Sequence, residues 1–118
     1  MNKAADLLET NRIEFIALAI REAGKSFPNA VAEVREAVDF LRYYAAQIIS
    51  TELSAALGPV VCISPWNFPL AIFLGEVSAS LAVGNAVLAK PAEQTPLIAF
   101  RAVQILHKAG VPTSALQF

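Results

Sequence analysis

Nine Lys plus Arg against ten Asp plus Glu leave this 118-residue chain with a net charge of −1, and 56% of its residues are apolar. That balance excludes the basic footprint of a nucleic-acid binder and the composition of an acidic solvating tail. The length suits one domain, since domains cluster near ~100–150 residues. The apolar share exceeds the roughly 45–50% usual for soluble domains, while a chain this short buries only about two-thirds of its surface. Part of the apolar excess must stay exposed or pack against something else, so the expectation is a piece of a larger protein.

A single cysteine and a single histidine rule out a disulfide framework and a thiolate metal cluster, and no metal site is expected. The first nine residues, MNKAADLLE, carry charges where a signal peptide needs an apolar run. The longest apolar stretch, residues 70–89, is interrupted by Glu76 and by the turn signal Gly84-Asn85. A membrane span wants ~20 uninterrupted apolar residues, so none is expected, and the expected location is the cytoplasm.

In chain order, residues 2–23 read as a helix. Leu8, Phe15, Ile16, Ala19, Ile20 and Ala23 recur near a 3.6-residue period, and Gly24 supplies a stop. Pro28 suits the first turn of a second helix running to about residue 49. Val31, Val34, Val38, Leu41, Ala45 and Ile48 form its apolar stripe, and Glu33, Arg35, Glu36, Asp39 and Arg42 are expected on its surface. The two helices are expected to pack as a hairpin. Residues 59–64 are a short β-branched run that reads as a buried strand. Pro65 and Pro69 bracket a turn, and a helix over about 70–83, apolar on most sides, follows as if wedged between a sheet and another layer. Residues 86–89 read as a second buried strand, Thr95 and Pro96 start the next helix, Gly110 closes it, and residues 115–118 begin a third strand.

Strands alternating with helices are βαβ units of a parallel sheet. The expected class is α/β: a helical hairpin over 1–50, then a partial Rossmann-like βαβαβ parallel sheet over 51–118, together one incomplete cofactor-binding domain. A parallel sheet needs both faces covered, and the sequence stops inside a strand, which points to an incomplete chain.

Most single residues carry a plain structural reading. Gly24-Lys25-Ser26 imitates the end of a phosphate-binding loop, but Ala19 stands where that motif needs glycine, and a helix C-terminus repels phosphate. No G-x-G-x-x-G fingerprint is present. Cys62 lies in a strand without a basic neighbour in sequence to lower its pKa, and reads as a packed thiol. His107 falls in a last helical turn, where a cation is favoured. Glu76, without a mate for acid–base work, is expected to face solvent or a neighbouring domain. Residues 64–69, Ser-Pro-Trp-Asn-Phe-Pro, leave two readings open. The prolines fix a loop at a strand's carboxyl end, where ligands bind in open α/β sheets, and such a loop can aim the Asn67 amide at developing negative charge. Alternatively it is a turn with Trp66 and Phe68 as core packing. Lys90-Pro91-Ala92-Glu93 leaves the next strand at the same edge; its lysine and carboxylate suit the two hydroxyls of a ribose, or form a solvated salt bridge.

At these residues the sequence resembles the aldehyde dehydrogenase superfamily. The signatures are Pro65-Trp66-Asn67-Phe68-Pro69, Gly84-Asn85 followed by Lys90-Pro91-Ala92-Glu93-Gln94-Thr95-Pro96, and Ala109-Gly110-Val111-Pro112. Arg21-Glu22-Ala23-Gly24-Lys25, residues 32–45 and residues 62–73 look closer to one branch, the L-glutamate γ-semialdehyde (Δ1-pyrroline-5-carboxylate) dehydrogenases of bifunctional proline-utilisation proteins. The resemblance covers nearly the whole chain, and the chain only a minor part of such a domain.

In that family a cysteine thiolate attacks the aldehyde, hydride passes to NAD, and water activated by a glutamate hydrolyses the thioester. The resemblance implies that Asn67 is the oxyanion-hole amide, that Ile63, Ser64, Pro65 and Trp66 line the NAD pocket, and that Lys90 and Glu93 bind the adenosine ribose. Glu93 would repel a 2′-phosphate, which leans towards NAD over NADP. The substrate would be a small-molecule aldehyde, and the partner an oligomer or the rest of the dehydrogenase fold. The nucleophile and the glutamate base fall downstream of residue 118, and Cys62 does not occupy the nucleophile's place, so the chain alone is expected to be inactive. The link between Tyr44 and Gly58 looks shorter than in that branch, at the place of its oligomer-forming hairpin. A different class is also open: a truncated, non-catalytic module docking onto full-length dehydrogenase subunits through its exposed sheet edge and apolar faces.

Overall fold

Asn11 divides the helix expected over residues 2–23. Its side-chain amide donates to the Leu7 carbonyl at 2.7 Å, Thr10 Oγ1 donates to the Asp6 carbonyl at 2.8 Å, and Asn11 sits at φ −98°, ψ 16°. Such side-chain bonds compete with the helical ladder, so the computed structural model has two helices there, α1 (Asn2–Thr10) and α2 (Arg12–Ala23). The structure describes residues 1–50 and 55–118. Beyond α2 come α3 (Phe27–Ser50), β1 (Pro59–Ile63), α4 (Ala71–Ala82), β2 (Ala86–Lys90), α5 (Pro96–Ala109) and β3 (Leu116–Gln117). Residues 51–54, at the expected boundary and in the middle of the link read as shortened, lie outside the described residues. None of the described helices is long and apolar enough to cross a membrane.

The α2–α3 corner turns at Gly24, whose φ of 64° lies in the left-handed region that a Cβ disfavours. α3 then runs back along α1 and α2 and carries α4 on its other side, while α4 lies on β1 and β2. Gly75 permits the α3–α4 approach, because a Cβ there would meet the Phe40 ring at 3.2 Å. The hairpin and the wedged helix are thus borne out.

The sheet runs in the order β1-β2-β3, all strands parallel, with Val60 opposite Val87 and Cys62 opposite Ala89. Cys62, Val87, Ala89 and Leu116 face the helices and are buried. On the other face Val61 is 59%, Ile63 66% and Leu88 50% exposed, so β1 and β2 are half-buried rather than buried on both sides. The topology explains the asymmetry. Right-handed crossovers that both step in the same direction put both crossover helices on one face, and a doubly wound sheet covers its second face only with units that step the other way.

Two helix starts differ from expectation in the same manner. Thr95 precedes α5 as expected, but its hydroxyl has no partner among the described residues. The cap comes from α2 instead: Leu97 N–H and Ile98 N–H donate to the two oxygens of Glu22 at 2.9 and 2.7 Å. Glu33, expected on the surface of α3, is only 2% exposed and accepts from Leu70 N–H and Ala71 N–H, each at 3.0 Å. Both carboxylates satisfy donors that a first helical turn leaves without intrahelical partners.

Candidate active site

The loops that follow β1 and β2 leave the same edge of the sheet and are joined there. Ser64 N–H donates to the Lys90 carbonyl at 3.1 Å, carrying the β1–β2 ladder one step beyond the strands. The Ser64 side chain is buried and turned towards α4, where its hydroxyl donates to Glu76 Oε2 at 3.1 Å. Glu76, expected to face solvent or another domain, is therefore half-buried and braces the start of this loop.

Pro65 and Pro69 fix φ near −65° on both sides of the loop tip. Pro69 and Leu70 are buried, whereas Asn67 is exposed. Trp66 at 54% and Phe68 at 40% exposed are not buried in the core that these residues form. Ile63 stands on the open sheet face, Trp66 is exposed, and Pro65 is half-buried. The Phe68 ring has the Lys25 ammonium 4.0 Å from its centroid, a cation–π distance. The same ammonium is 2.6 Å from Glu33 Oε2. Lys25, suspected in sequence only as an imitation of a phosphate loop, is thus tied to the loop that holds Asn67.

At the second loop, Lys90 Nζ lies 2.7 Å from Glu93 Oε1 and donates to the Pro91 carbonyl at 3.0 Å. The two side chains are 50% and 78% exposed, so the pair is open to a ligand. The hydrogen bond from Lys90 holds the Glu93 carboxyl below the usual carboxylate range, and the group stays anionic. Beside Lys90 a groove of about 380 Å³ opens on the uncovered sheet face, lined by Val61, Leu88, Pro91, Gln117 and Phe118 among others. Its size falls within the ~300–1,000 Å³ of small-molecule clefts.

Cys62 faces the opposite way. It is 5% exposed among the helices, with Sγ 3.8 Å from Ser80 Oγ. Burial first, and Glu76 in addition, push its thiol pKa up, which suppresses the thiolate that a nucleophile needs. His107 Nδ1 lies 3.0 Å from the Val111 carbonyl in the turn that closes α5, the capping place expected of it.

Sequence reasoning missed Lys25, Glu33, Glu76 and Glu22. Glu33 had a readable signal, since Ala30, Val34 and Ala37 around it are buried on the same stripe of α3. A carboxylate amid that stripe calls for a buried partner.

The sequence profile of the Aldehyde dehydrogenase family matches residues 1–118. This chain belongs to the aldehyde dehydrogenase family. It is 59% identical over 120 residues to the bifunctional protein PutA of Escherichia coli (strain K12), covering 99% of this chain and 9% of that protein. The 1-pyrroline-5-carboxylate dehydrogenase of Anoxybacillus flavithermus is 39% identical over 131 residues, covering 98% of this chain and 25% of the relative. A solved structure of 1-pyrroline-5-carboxylate dehydrogenase from Thermus with bound NAD superimposes with a TM-score of 0.92 at 37% identity, over 98% of this chain and 26% of the other. The chain therefore spans from about a tenth to a quarter of the relatives it matches. The 120 aligned positions of the PutA match leave room for only a few extra residues, so the marked shortening expected of the link against the bifunctional branch is not found. The longer match of 131 positions places extra residues in the single-function relative.

Proposed function

We propose that this chain forms the first part of the NAD-binding region of a dehydrogenase that oxidises L-glutamate γ-semialdehyde to glutamate in proline catabolism. The observation that carries the reading is the Ser64–Lys90 backbone bond, which holds a solvent-facing amide and an open Lys–Glu pair on one rim of the sheet. The substrate is taken from the relatives, whose names specify 1-pyrroline-5-carboxylate dehydrogenase and PutA.

In this reading the Asn67 side-chain N–H₂ donates to the oxygen of the reacting aldehyde as negative charge develops there. Such a donor acts by standing in place before the charge forms, so that no reorganisation is needed at the moment of reaction. The residues fit the adenosine half of NAD. A ribose diol needs an acceptor and a donor side by side, and Glu93 Oε1 and Lys90 Nζ supply them 2.7 Å apart and open to solvent. Ile63, Pro65 and Trp66 add apolar surface beside them, and Ser64 contributes through its backbone, its hydroxyl being engaged by Glu76. NAD bound there supplies the hydride acceptor. The Glu93 carboxylate disfavours a 2′-phosphate and so selects NAD over NADP. The thiol nucleophile and the water-activating carboxylate come from the rest of the enzyme, since Cys62 is buried and protonated; the chain alone is inactive, and the complete enzyme works in the cytoplasm.

Titration of NAD into the complete dehydrogenase and its Lys90→Ala variant tests the assignment. The variant is expected to bind NAD about tenfold more weakly, as befits a hydrogen bond to a charged group. An unchanged Kd returns Lys90 and Glu93 to a solvated salt bridge.

The uncovered sheet face favours a second reading, a non-catalytic module that docks onto full-length dehydrogenase subunits through Val61, Ile63 and Leu88. Mixing the purified chain with an intact dehydrogenase at micromolar concentration separates the two. A stable complex supports docking, and two independently eluting species reject it.

A further inference from the structure

Lys25, Glu33 and Phe68 form a cluster behind the Asn67 loop. Glu33 Oε1 accepts both N–H groups that open α4, from Leu70 and Ala71, at 3.0 Å. Its other oxygen has no donor in hydrogen-bonding alignment, and the Lys25 ammonium faces it at 2.6 Å. The two side chains are 0% and 13% exposed. That ammonium also lies 4.0 Å from the centroid of Phe68, the residue next to Asn67.

Stability does not account for this arrangement. Taking two charges out of water costs about as much as their attraction returns, and apolar replacements of buried pairs are often neutral or better. Helix capping does not require it either, because Glu22 caps α5 from a half-buried position without a buried lysine. What the pair adds is geometry. One carboxylate holds the chain just after Pro69, its counter-ion holds the ring just before Pro69, and the bond from Ser64 to Glu76 holds the other end of the loop. Asn67 stands between these tethers. An amide that stabilises a developing oxyanion must lie within a narrow distance of it, and small misplacements are expensive in rate.

We propose that Lys25 and Glu33 are positioning residues for Asn67, acting through the start of α4 and the Phe68 ring. The proposal rests on the oxyanion reading of Asn67 given above.

A double-mutant cycle in the complete dehydrogenase tests it, with L-glutamate γ-semialdehyde as substrate and NAD saturating. Lys25→Met combined with Glu33→Gln removes both charges and keeps an amide oxygen for the Leu70 and Ala71 N–H groups. The expected result is a kcat lower by about 10- to 100-fold with the NAD Kd unchanged. In the Asn67→Ala background the same pair of changes should alter kcat by less than about twofold, because the positioned group is already gone. Phe68→Leu leaves the buried ion pair untouched and serves if the paired variant does not fold. It should lower kcat by about two- to fivefold, the size of a cation–π contact, and again only when Asn67 is present. Equal losses in both backgrounds overturn the positioning role while leaving the oxyanion reading intact. Wild-type turnover by Asn67→Ala overturns the oxyanion reading, and the positioning role with it.

Discussion

The first turns of α4 and α5 both open on the carboxyl edge of the sheet, and each receives a carboxylate from the helical half of the chain. Glu33 serves α4 and Glu22 serves α5, each through two backbone N–H groups at 2.7–3.0 Å. Glu22 uses both oxygens and Glu33 one, and the surroundings differ more. Glu22 is half-buried, and its bonds to Leu97 and Ile98 are exposed and part-buried, so its loss lets water reach the helix start. Glu33 is sealed in with an ammonium that has little other access to solvent. The difference teaches that a cap whose counter-charge is buried with it connects more of the chain: Glu33 and Lys25 join the α2–α3 corner, the start of α4 and the Phe68 ring.

Removing each carboxylate is the largest disturbance of that comparison. Glu33→Ala leaves the Lys25 ammonium buried without its partner and is expected to cost about 3–5 kcal/mol in urea unfolding. Glu22→Ala removes a cap that solvent can replace and should cost about 1 kcal/mol. Equal losses would erase the distinction. A smaller effect sharpens it from the sheet side of α4. Burial raises the Cys62 pKa, so the folded chain holds the thiol proton more tightly than the unfolded one. That contribution is complete below the ordinary thiol pKa of about 8.5 and declines as pH rises through that value and the raised one. Unfolding free energies followed from neutral to alkaline pH should therefore fall more steeply for the wild type than for Cys62→Ala; parallel curves would mean that Cys62 meets water.

The elements that sequence conveyed well were those governed by local rules. The spacing of Val34, Val38 and Leu41 marked the buried side of α3, and two prolines marked the loop that places Asn67 in solvent. The loop motifs carried the family because they are local in sequence. The break in the first helix is local, an Asn11 amide bonding the Leu7 carbonyl four residues back. The other misreadings were of long-range partners: Thr95 reads as a cap because the competing carboxylate lies 75 residues upstream of Leu97. Glu33 reads as surface beside Arg35 and Glu36 when only Val31, Val34, Val38 and Leu41 define the stripe; the buried Ala30 and Ala37 mark a close helix contact as well as large residues do. The open face of the sheet followed from strand order, which an apolar run does not encode, since Val61 and Cys62 are equally apolar and point opposite ways.

Within the complete dehydrogenase, the turnover of Asn67→Ala with L-glutamate γ-semialdehyde at saturating NAD tests the central claim most directly. The account predicts a kcat lower by roughly 10²–10³, with cofactor affinity and thermal stability at wild-type levels because Asn67 is exposed and its amide is assigned to the aldehyde oxygen, not to the cofactor. Wild-type turnover would contradict it and would reduce the rigid loop between β1 and α4 to a structural corner.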